Sequence, residues 1–132
     1  MYIKQFESWN KIKEKIEAEK EENGLARICE VRWAHIGVNL GSEIDGKGNS
    51  FLRPVLILHT LGKKLCLVAP MSTKIKADVF GYFTINFLGK DISICLNQIK
   101  IISTKRIFDR IGKVRESKLS LVKEKLKNIY VL

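Results

Sequence analysis

The amino-acid sequence predicts a mainly β domain of the α+β class, an antiparallel β-barrel of five or six strands with a helix at each end. Three observations carry this prediction. The middle of the chain consists of short apolar runs separated by turn signals, with no helical segment between them. Both ends instead repeat apolar residues every three or four positions, as amphipathic helices do. The chain has 132 residues, 45% of them hydrophobic, which suffices for one buried core and one domain.

The first helix is predicted over residues 3–22. Phe6, Trp9 and Ile16 recur at helical spacing among Lys and Glu side chains, which indicates an exposed helix with one apolar stripe. Asn23-Gly24 is a typical helix stop. Because the stripe is narrow, we expect it to dock on the barrel or on a second subunit and not to bind a ligand.

Six apolar runs then follow as predicted strands, at residues 28–36, 54–59, 64–69, 82–87, 92–96 and 99–102. The Gly-containing stretches 61–64 and 88–91 predict hairpin turns. Between the first two strands lie residues 37–51, which are rich in Gly, Ser, Asp, Asn and Lys. A loop of this length in a compact domain is usually functional or mobile.

The last helix is predicted to begin at Ser117, a plausible N-cap. Its apolar face consists of Leu119, Val122, Leu126 and Ile129. The helix dipole leaves partial negative charge at the C-terminal end, which favours the cations Lys123, Lys125 and Lys127. We therefore divide the chain into an N-terminal helical extension, residues 1–24, and a barrel domain with its C-terminal helix, residues 25–132.

The formal net charge of +10 is unevenly distributed. Residues 1–24 carry a net charge of −1, whereas residues 25–132 carry +11, of which +7 lies in residues 99–132. Such a basic domain suits a polyanion such as nucleic acid, although a solvated basic surface is an equally open interpretation. No apolar run approaches membrane-spanning length and no secretory signal begins the chain, so we expect a soluble, cytoplasmic protein without membrane contact.

The three cysteines, Cys29, Cys66 and Cys95, are far apart and flanked by apolar residues. This pattern predicts reduced thiols buried in strands. Together with His35 and His59 they form no pair at the short spacing of metal ligands, so we expect neither a metal site nor a cofactor.

Four short motifs occur in order along the predicted barrel. They are Gly41-Ser42-Glu43, Arg53-Pro54-Val55-Leu56-Ile57, Pro70-Met71-Ser72-Thr73-Lys74 and Asn97-Gln98-Ile99. Each motif alone is weak, but over about residues 28–130 the ordered set resembles the MazF/PemK family of toxin endoribonucleases from type II toxin–antitoxin pairs. The N-terminal helix lies outside the resemblance.

The resemblance implies an SH3-like barrel of the MazF/PemK/CcdB type that cleaves single-stranded RNA without a metal. In that reaction the ribose 2′-hydroxyl attacks the adjacent phosphate and leaves a 2′,3′-cyclic phosphate and a 5′-hydroxyl. The implied toxin cuts mRNA and stops growth. It forms a homodimer, and an acidic or extended segment of a cognate antitoxin blocks its RNA groove.

Under this resemblance Arg53 and Ser72 are the central catalytic residues. A guanidinium offers the fixed cation that the charged phosphoryl group needs. Ser72 would bond the phosphate or orient the 2′-hydroxyl, with Thr73 as a possible substitute. Glu43 would hold Arg53 in place or contact a base, and a simple loop salt bridge is the alternative.

The remaining candidates would bind RNA. Asn97 and Gln98 carry amides that can read base edges, unless they only shape a turn. Lys47, Lys74 and Lys76 are candidate phosphate contacts or solvated side chains, and His35 is a candidate for proton transfer. Trp33 and Phe51 either stack on bases or pack within the domain.

The sequence also departs from the family pattern. Cys29-Glu30 stands where a Gly usually precedes the acidic residue, and Cys95 and Asn97 stand where one branch has a catalytic Arg and Asp. Activity would therefore rest on Arg53 and Ser72. Two other functions stay open: a non-catalytic RNA-binding barrel, and a gyrase poison on the same fold, whose representatives carry a Trp near the C-terminus that residues 128–132 lack.

Overall fold

The computed structural model of the chain describes residues 2–19 and 26–131, which form two helices and seven strands. Their bounds are α1 Phe6–Glu19, β1 Glu30–His35, β2 Leu52–Leu61, β3 Leu65–Ser72, β4 Tyr82–Phe87, β5 Lys90–Cys95, β6 Lys100–Ser103, β7 Ile107–Lys113 and α2 Glu116–Tyr130. Short 3-10 turns at Leu96–Gln98 and Thr104–Arg106 flank β6. The predicted α+β class is confirmed.

All strand pairs are antiparallel, and the strands follow the order β4-β5-β3-β2-β1-β7, with β6 paired to β3. Along one edge of β3, residues 65–68 pair with β6 and residues 71–72 pair with β5. The sheet therefore divides along β3, and within the described residues β4, β6 and β7 each pair with one strand only. The expectation of a closed barrel was wrong: the seven strands form an open antiparallel sheet.

The central strands are buried on both faces. Leu56 and Leu58 of β2 belong to a core cluster that includes Leu119 and Val122 of α2. Val55 and Ile57, which point to the opposite face, join a second cluster with β6 and β7. Burying one such side chain contributes about 1.5–3 kcal/mol, so the alternation of two apolar faces fixes the register of β2 strongly.

The two predicted hairpins are confirmed. Leu61 pairs with Leu65, and Phe87 pairs with Lys90. In the second turn, Leu88 and Gly89 both have positive φ, 51° and 80°, as a tight two-residue hairpin turn requires. The sequence analysis missed β7, which pairs with β1.

The helices agree with prediction in position but not at every end. The structure describes α1 over Phe6–Glu19, and the predicted stop at Asn23-Gly24 lies outside the described residues. The C-terminal helix begins at Glu116, so the N-cap is Arg115 and not Ser117. Glu116 places a negative charge in the first turn, where the helix dipole favours it. Of the described helices, neither is long and apolar enough to cross a membrane.

The apolar stripe of α1 docks on the domain, one of its two predicted uses. Trp9 is buried and forms a small cluster with Val38 and Phe51 of the β1–β2 loop. Its indole lies over Gly37, where an added Cβ would come within 2.2 Å of the ring. The docked helix therefore holds the first part of the loop in place.

Candidate active site

Arg53 is the second residue of β2, at the point where the sheet meets the β1–β2 loop. Its side chain is buried, Nε donates to the Asp45 carbonyl at 2.7 Å, and a terminal nitrogen donates to the Met71 carbonyl at 3.3 Å. Burial lowers the pKa of the Arg53 guanidinium. Because a guanidinium stays protonated in proteins even when it is buried, the side chain remains a cation at neutral pH.

Ser72 ends β3, the neighbouring strand. Val55 pairs with Pro70, and the same register continued by two residues sets Arg53 opposite Ser72. The Ser72 hydroxyl accepts a hydrogen bond from the Lys74 amide at 3.2 Å, which leaves its O–H to donate elsewhere. From the other side, Ser93 donates to the Lys74 carbonyl at 3.0 Å. The turn that carries Thr73 and Lys74 is thereby fixed.

A cavity of about 370 Å³ brings these residues together. Its polar lining comes from Arg53, Ser72, Thr73 and Lys47, and its apolar lining includes the half-exposed ring of Trp33. A fixed cation, two hydroxyls and a second cation thus face one space next to an aromatic wall. That arrangement can bind a phosphate and hold a base beside it.

A second cavity, of about 490 Å³, also has Arg53 in its lining. It shares Arg53, Lys47 and Gly48 with the first cavity. Its other lining residues include two aromatic rings and one carboxylate; they are Tyr2, Ile3, Gln5, Asp45, Gly46, Phe51 and Lys74. Arg53 therefore borders both cavities.

The β1–β2 loop, which contributes residues to both cavities, is held closely against β2. Lys47 and Leu52 form an isolated bridge, and the Gly46 amide donates to the Gly37 carbonyl at 2.7 Å. A Cβ on Gly46 would lie 1.9 Å from the Phe51 carbonyl oxygen, so only glycine fits there. Phe51 packs edge-on against Trp9, with ring centroids 5.7 Å apart, and so serves packing.

Several predicted site residues form hydrogen bonds with the main chain of the protein. Gln98 accepts from the Ile44 amide at 3.3 Å and donates to the Ser42 carbonyl at 3.1 Å, while Asn97 donates to the Phe80 carbonyl at 3.0 Å. These amides fasten the loops around the site. Their reading of base edges stays a prediction.

The predicted acid and proton-transfer groups lie apart from the hydrogen bonds that hold Arg53. Glu43 is exposed, and its charge acts on Lys100, where it counteracts the lowering of the Lys100 pKa by burial. His35 donates through Nδ1 to the Ser50 carbonyl at 3.0 Å, and its ring lies 5.0 Å from that of Phe108. The roles predicted for both side chains stay predictions.

Sequence reasoning missed Asp45, which is the residue that orients Arg53. The Asp45 carbonyl accepts from Arg53, its Oδ1 accepts from the Asn39 amide at 2.6 Å, and its Oδ2 accepts from the Tyr2 hydroxyl at 2.8 Å. A single aspartate in a polar loop gives no periodic or motif signal. Only the folded loop shows that three segments meet at it.

Tyr82 is a second residue that the sequence did not indicate. It pairs across the β4–β5 ladder with Cys95, and Lys76 lies 5.9 Å from the centre of its ring. Burial raises the pKa of the Tyr82 phenol, and the charge of Arg53 opposes this shift. Lys76 is therefore placed against an aromatic face near Arg53. Within the described residues, no group of His, Cys, Asp and Glu side chains could hold a metal ion.

The comparison with protein families identifies the chain. A family model described as a PemK-like, MazF-like toxin of the type II toxin-antitoxin system matches residues 27–130. This chain belongs to that family. The family resemblance seen in the motifs is thus confirmed, and membership in a type II system implies that the toxin has an antitoxin as partner.

Solved structures support the fold of the toxin. It is similar to the Mycobacterium tuberculosis toxin MazF-mt6, with a TM-score of 0.58 and 18% identity, over 78% of this chain and 97% of that one. It is also similar to an Mtb toxin, with a TM-score of 0.50 and 21% identity, over 58% of this chain and 91% of the other. No curated protein matches the chain. At these identities the structural likeness concerns the fold alone.

Proposed function

We propose that this toxin is a metal-independent endoribonuclease that cleaves single-stranded RNA, with mRNA in the cytoplasm as its target. The observation that carries the proposal is the fixed guanidinium of Arg53, which lines one cavity with Ser72, Thr73 and Lys47. A preorganised cation of this kind stabilises negative charge that builds up on a phosphoryl group. The strongly basic domain suits a polyanionic substrate.

The proposed reaction is an intramolecular phosphoryl transfer. The ribose 2′-oxygen forms a bond to phosphorus, the bond from phosphorus to the 5′-oxygen breaks, the 2′-hydroxyl loses its proton and the leaving oxygen gains one. Arg53 binds the phosphoryl oxygens in the transition state. Ser72 donates its O–H to the phosphate or orients the 2′-hydroxyl, and Thr73 provides a second hydroxyl in the same cavity.

The other predicted residues take supporting roles in this proposal. Lys47 and Lys74 contact phosphates on either side of Arg53, and Lys76 extends the cationic surface. Glu43, Asn97 and Gln98 lie on the loops that frame the site and contact bases there. His35 serves proton transfer.

We also propose a homodimer whose RNA groove an antitoxin segment covers. Leu40 and Phe80 lie on the β1–β2 and β3–β4 loops and are 70% and 73% exposed. Apolar side chains this exposed, on the loops of a basic domain, suit an extended partner segment that combines apolar and acidic residues.

The test is incubation of the purified protein with a long single-stranded RNA in EDTA, followed by mapping of the fragment ends. We expect discrete fragments with 5′-hydroxyl and 2′,3′-cyclic phosphate ends. Arg53→Ala should lower the cleavage rate by roughly 100-fold or more, because one preorganised donor contributes about that much. Lys90→Ala, which removes an exposed charge on β5, is the matched control and should cleave at the parental rate.

Each other outcome has a definite meaning. Cleavage by Arg53→Ala at the parental rate, with its folding verified by thermal unfolding, would show that the site is assigned wrongly. Intact RNA bound in a salt-sensitive manner would indicate a non-catalytic RNA-binding protein. If the protein neither cleaves nor binds RNA, its target is to be sought among proteins such as gyrase.

A further inference from the structure

The segment that precedes α1, residues 2–5, is tied to the β1–β2 loop. The Tyr2 hydroxyl donates to Asp45 Oδ2 at 2.8 Å. The Lys4 ammonium donates to the Asn39 carbonyl and, at 3.1 Å, to the Gly41 carbonyl, and it lies 3.5 Å from Asp45 Oδ2. Segments near a chain end usually fray unless such bonds hold them. This one is held at two side chains.

The same contacts connect the segment to the proposed catalytic cation. Asp45 accepts from Tyr2 through its carboxylate and from Arg53 through its main-chain carbonyl. The Asp45 side chain is 12% exposed. Tyr2, Lys4 and Arg53 are thus all held by one residue of the loop.

Residues 2–5 form the outer wall of the 490 Å³ cavity beside Arg53. That volume lies within the usual range of small-molecule sites, and its lining combines two aromatic rings, an amide, three cations and the Asp45 carboxylate. The cations Arg53 and Lys47 also line the 370 Å³ cavity. Because the two cavities share these cations, a phosphate bound by them would lie next to both cavities.

Tyr2 has the properties of a stacking surface. Its hydroxyl is anchored by Asp45, yet the residue is 68% exposed, so the ring is fixed in position while much of it faces solvent. A pre-positioned aromatic ring stacks on a base at little entropic cost. Lys74, which lines the same cavity, supplies a cation for a neighbouring phosphate.

We propose that the cavity between residues 2–5 and the β1–β2 loop is a nucleotide subsite, in which the base next to the scissile phosphate stacks on Tyr2 and Lys74 contacts its phosphate. The subsite deepens the proposed ribonuclease function and rests on it for the reaction served. It gives the N-terminal segment a part in substrate selection. The chemistry itself remains with Arg53 and Ser72.

Two measurements on the full chain test the subsite. The first is the affinity for an uncleavable single-stranded RNA, a 2′-O-methyl heptanucleotide of random sequence, by fluorescence anisotropy. The second is the set of cleavage sites on a long RNA. We expect Tyr2→Ala to weaken binding about 5- to 100-fold, the usual effect of removing one stacked base contact, and to relax the base preference on one side of the cut.

Two variants separate stacking from a structural effect. Tyr2→Phe keeps the ring and loses only the hydrogen bond that positions it, so we expect its affinity to fall by about threefold, the cost of ordering one ring on binding. Leu88→Ala, which truncates an exposed apolar side chain at the β4–β5 turn, should leave both readouts unchanged. Equal losses in Tyr2→Ala and Tyr2→Phe would overturn the stacking role, as would parental affinity and cleavage sites in Tyr2→Ala.

Failure of the subsite and failure of the nuclease give different results. If the parental protein cuts RNA in an Arg53-dependent manner while Tyr2→Ala changes nothing, the nuclease stands and the subsite is wrong. If the parental protein does not cut RNA but Tyr2→Ala still weakens binding relative to Tyr2→Phe, the nucleotide subsite stands and the proposed reaction is wrong.

Discussion

The acceptors of Arg53 are the main-chain carbonyls of Asp45 and Met71, which carry no full charge. A carboxylate partner would neutralise the guanidinium, whereas carbonyls orient it and leave its charge for an incoming phosphate. The nearby Asp45 carboxylate is itself offset by Lys4 at 3.5 Å. At the scale of single residues, the hydrogen bonds therefore fix the position of the Arg53 guanidinium without neutralising its positive charge.

Cys66 offers a prediction about stability. It is fully buried, its Sγ lies 3.9 Å from the Ile102 carbonyl, and burial raises the pKa of its thiol from 9.0 to about 11. The stabilisation from the buried neutral thiol is complete below pH 9 and is lost as the pH rises through 11. We expect about 2–3 kcal/mol of the free energy of unfolding to disappear across that window.

The measurement is denaturant unfolding between pH 7 and pH 11, compared with Cys66→Ala. The alanine variant cannot titrate at this position, so the other ionisable groups contribute equally to both proteins. We expect the stability advantage of the parent to shrink with rising pH. A constant difference between the two proteins over the whole range would contradict the prediction.

At the scale of elements, α1 depends on tertiary contacts. A helix of 14 residues is marginal in water on its own. Trp9 supplies the principal contact, because it is buried and packs against Phe51. The Arg106 guanidinium lies over the Trp9 ring, with its Cζ 5.6 Å from the ring centre. An ion pair between Lys105 and Glu17, at 3.3 Å, adds a weaker and more exposed link.

Trp9→Ala should therefore release α1 while the sheet persists. We expect hydrogen-exchange protection to fall at the amides of Phe6–Glu19, and global stability to fall by up to about 3–5 kcal/mol, the usual cost of a buried Trp→Ala change. Gly37→Ala should also weaken docking, because a Cβ there would lie 2.2 Å from the indole and the φ of 86° disfavours alanine.

Trp9→Phe is the control for this prediction, since it keeps an aromatic ring at the docking position. We expect it to retain most of the protection in α1. Unchanged protection of α1 in Trp9→Ala would show that the ion pair and the loop contacts suffice without the indole.

The elements also show what sequence can and cannot predict. The hairpins at residues 61–64 and 88–91 were predictable because positive φ and glycine leave a local signal. In β7, polar Asp109 and Arg110 are adjacent, and the pairing with β1 has register shifts on both sides of Arg32, so the period of two is lost. A bulged strand of this kind gives no regular pattern.

The candidate site divides in the same way. Arg53 and Ser72 were predictable from motifs, and the register between β2 and β3 explains why both line one cavity. Asp45 and Tyr2 were not predictable, because their hydrogen bond joins residues 43 positions apart without any repeated pattern. Contacts that depend on how a long loop folds back leave no trace in local sequence.

For the whole molecule, charge is the dominant property. Residues 25–132 carry a net charge of +11, and the cations Lys47, Arg53 and Lys74 line the two cavities. Under the proposed function, remote charges would steer the RNA towards the protein, whereas contacts at the cavities would fix its position. These two contributions can be separated, because only direct phosphate contacts change the slope of affinity against salt.

We predict that RNA affinity falls steeply with salt, because about four phosphate contacts, from Lys47, Arg53, Lys74 and Lys76, give a slope of log K against log salt near −3. Raising salt from 50 to 200 mM should then weaken binding by roughly 50-fold.

Lys74→Ala should make the slope shallower by about 0.7 to 1, since one counterion fewer is released on binding. Lys90→Ala removes the same charge from an exposed position on β5 and should leave the slope unchanged. Fluorescence anisotropy with the uncleavable heptanucleotide measures both slopes. Equal slopes for the parent and Lys74→Ala would place the phosphate path away from the two cavities.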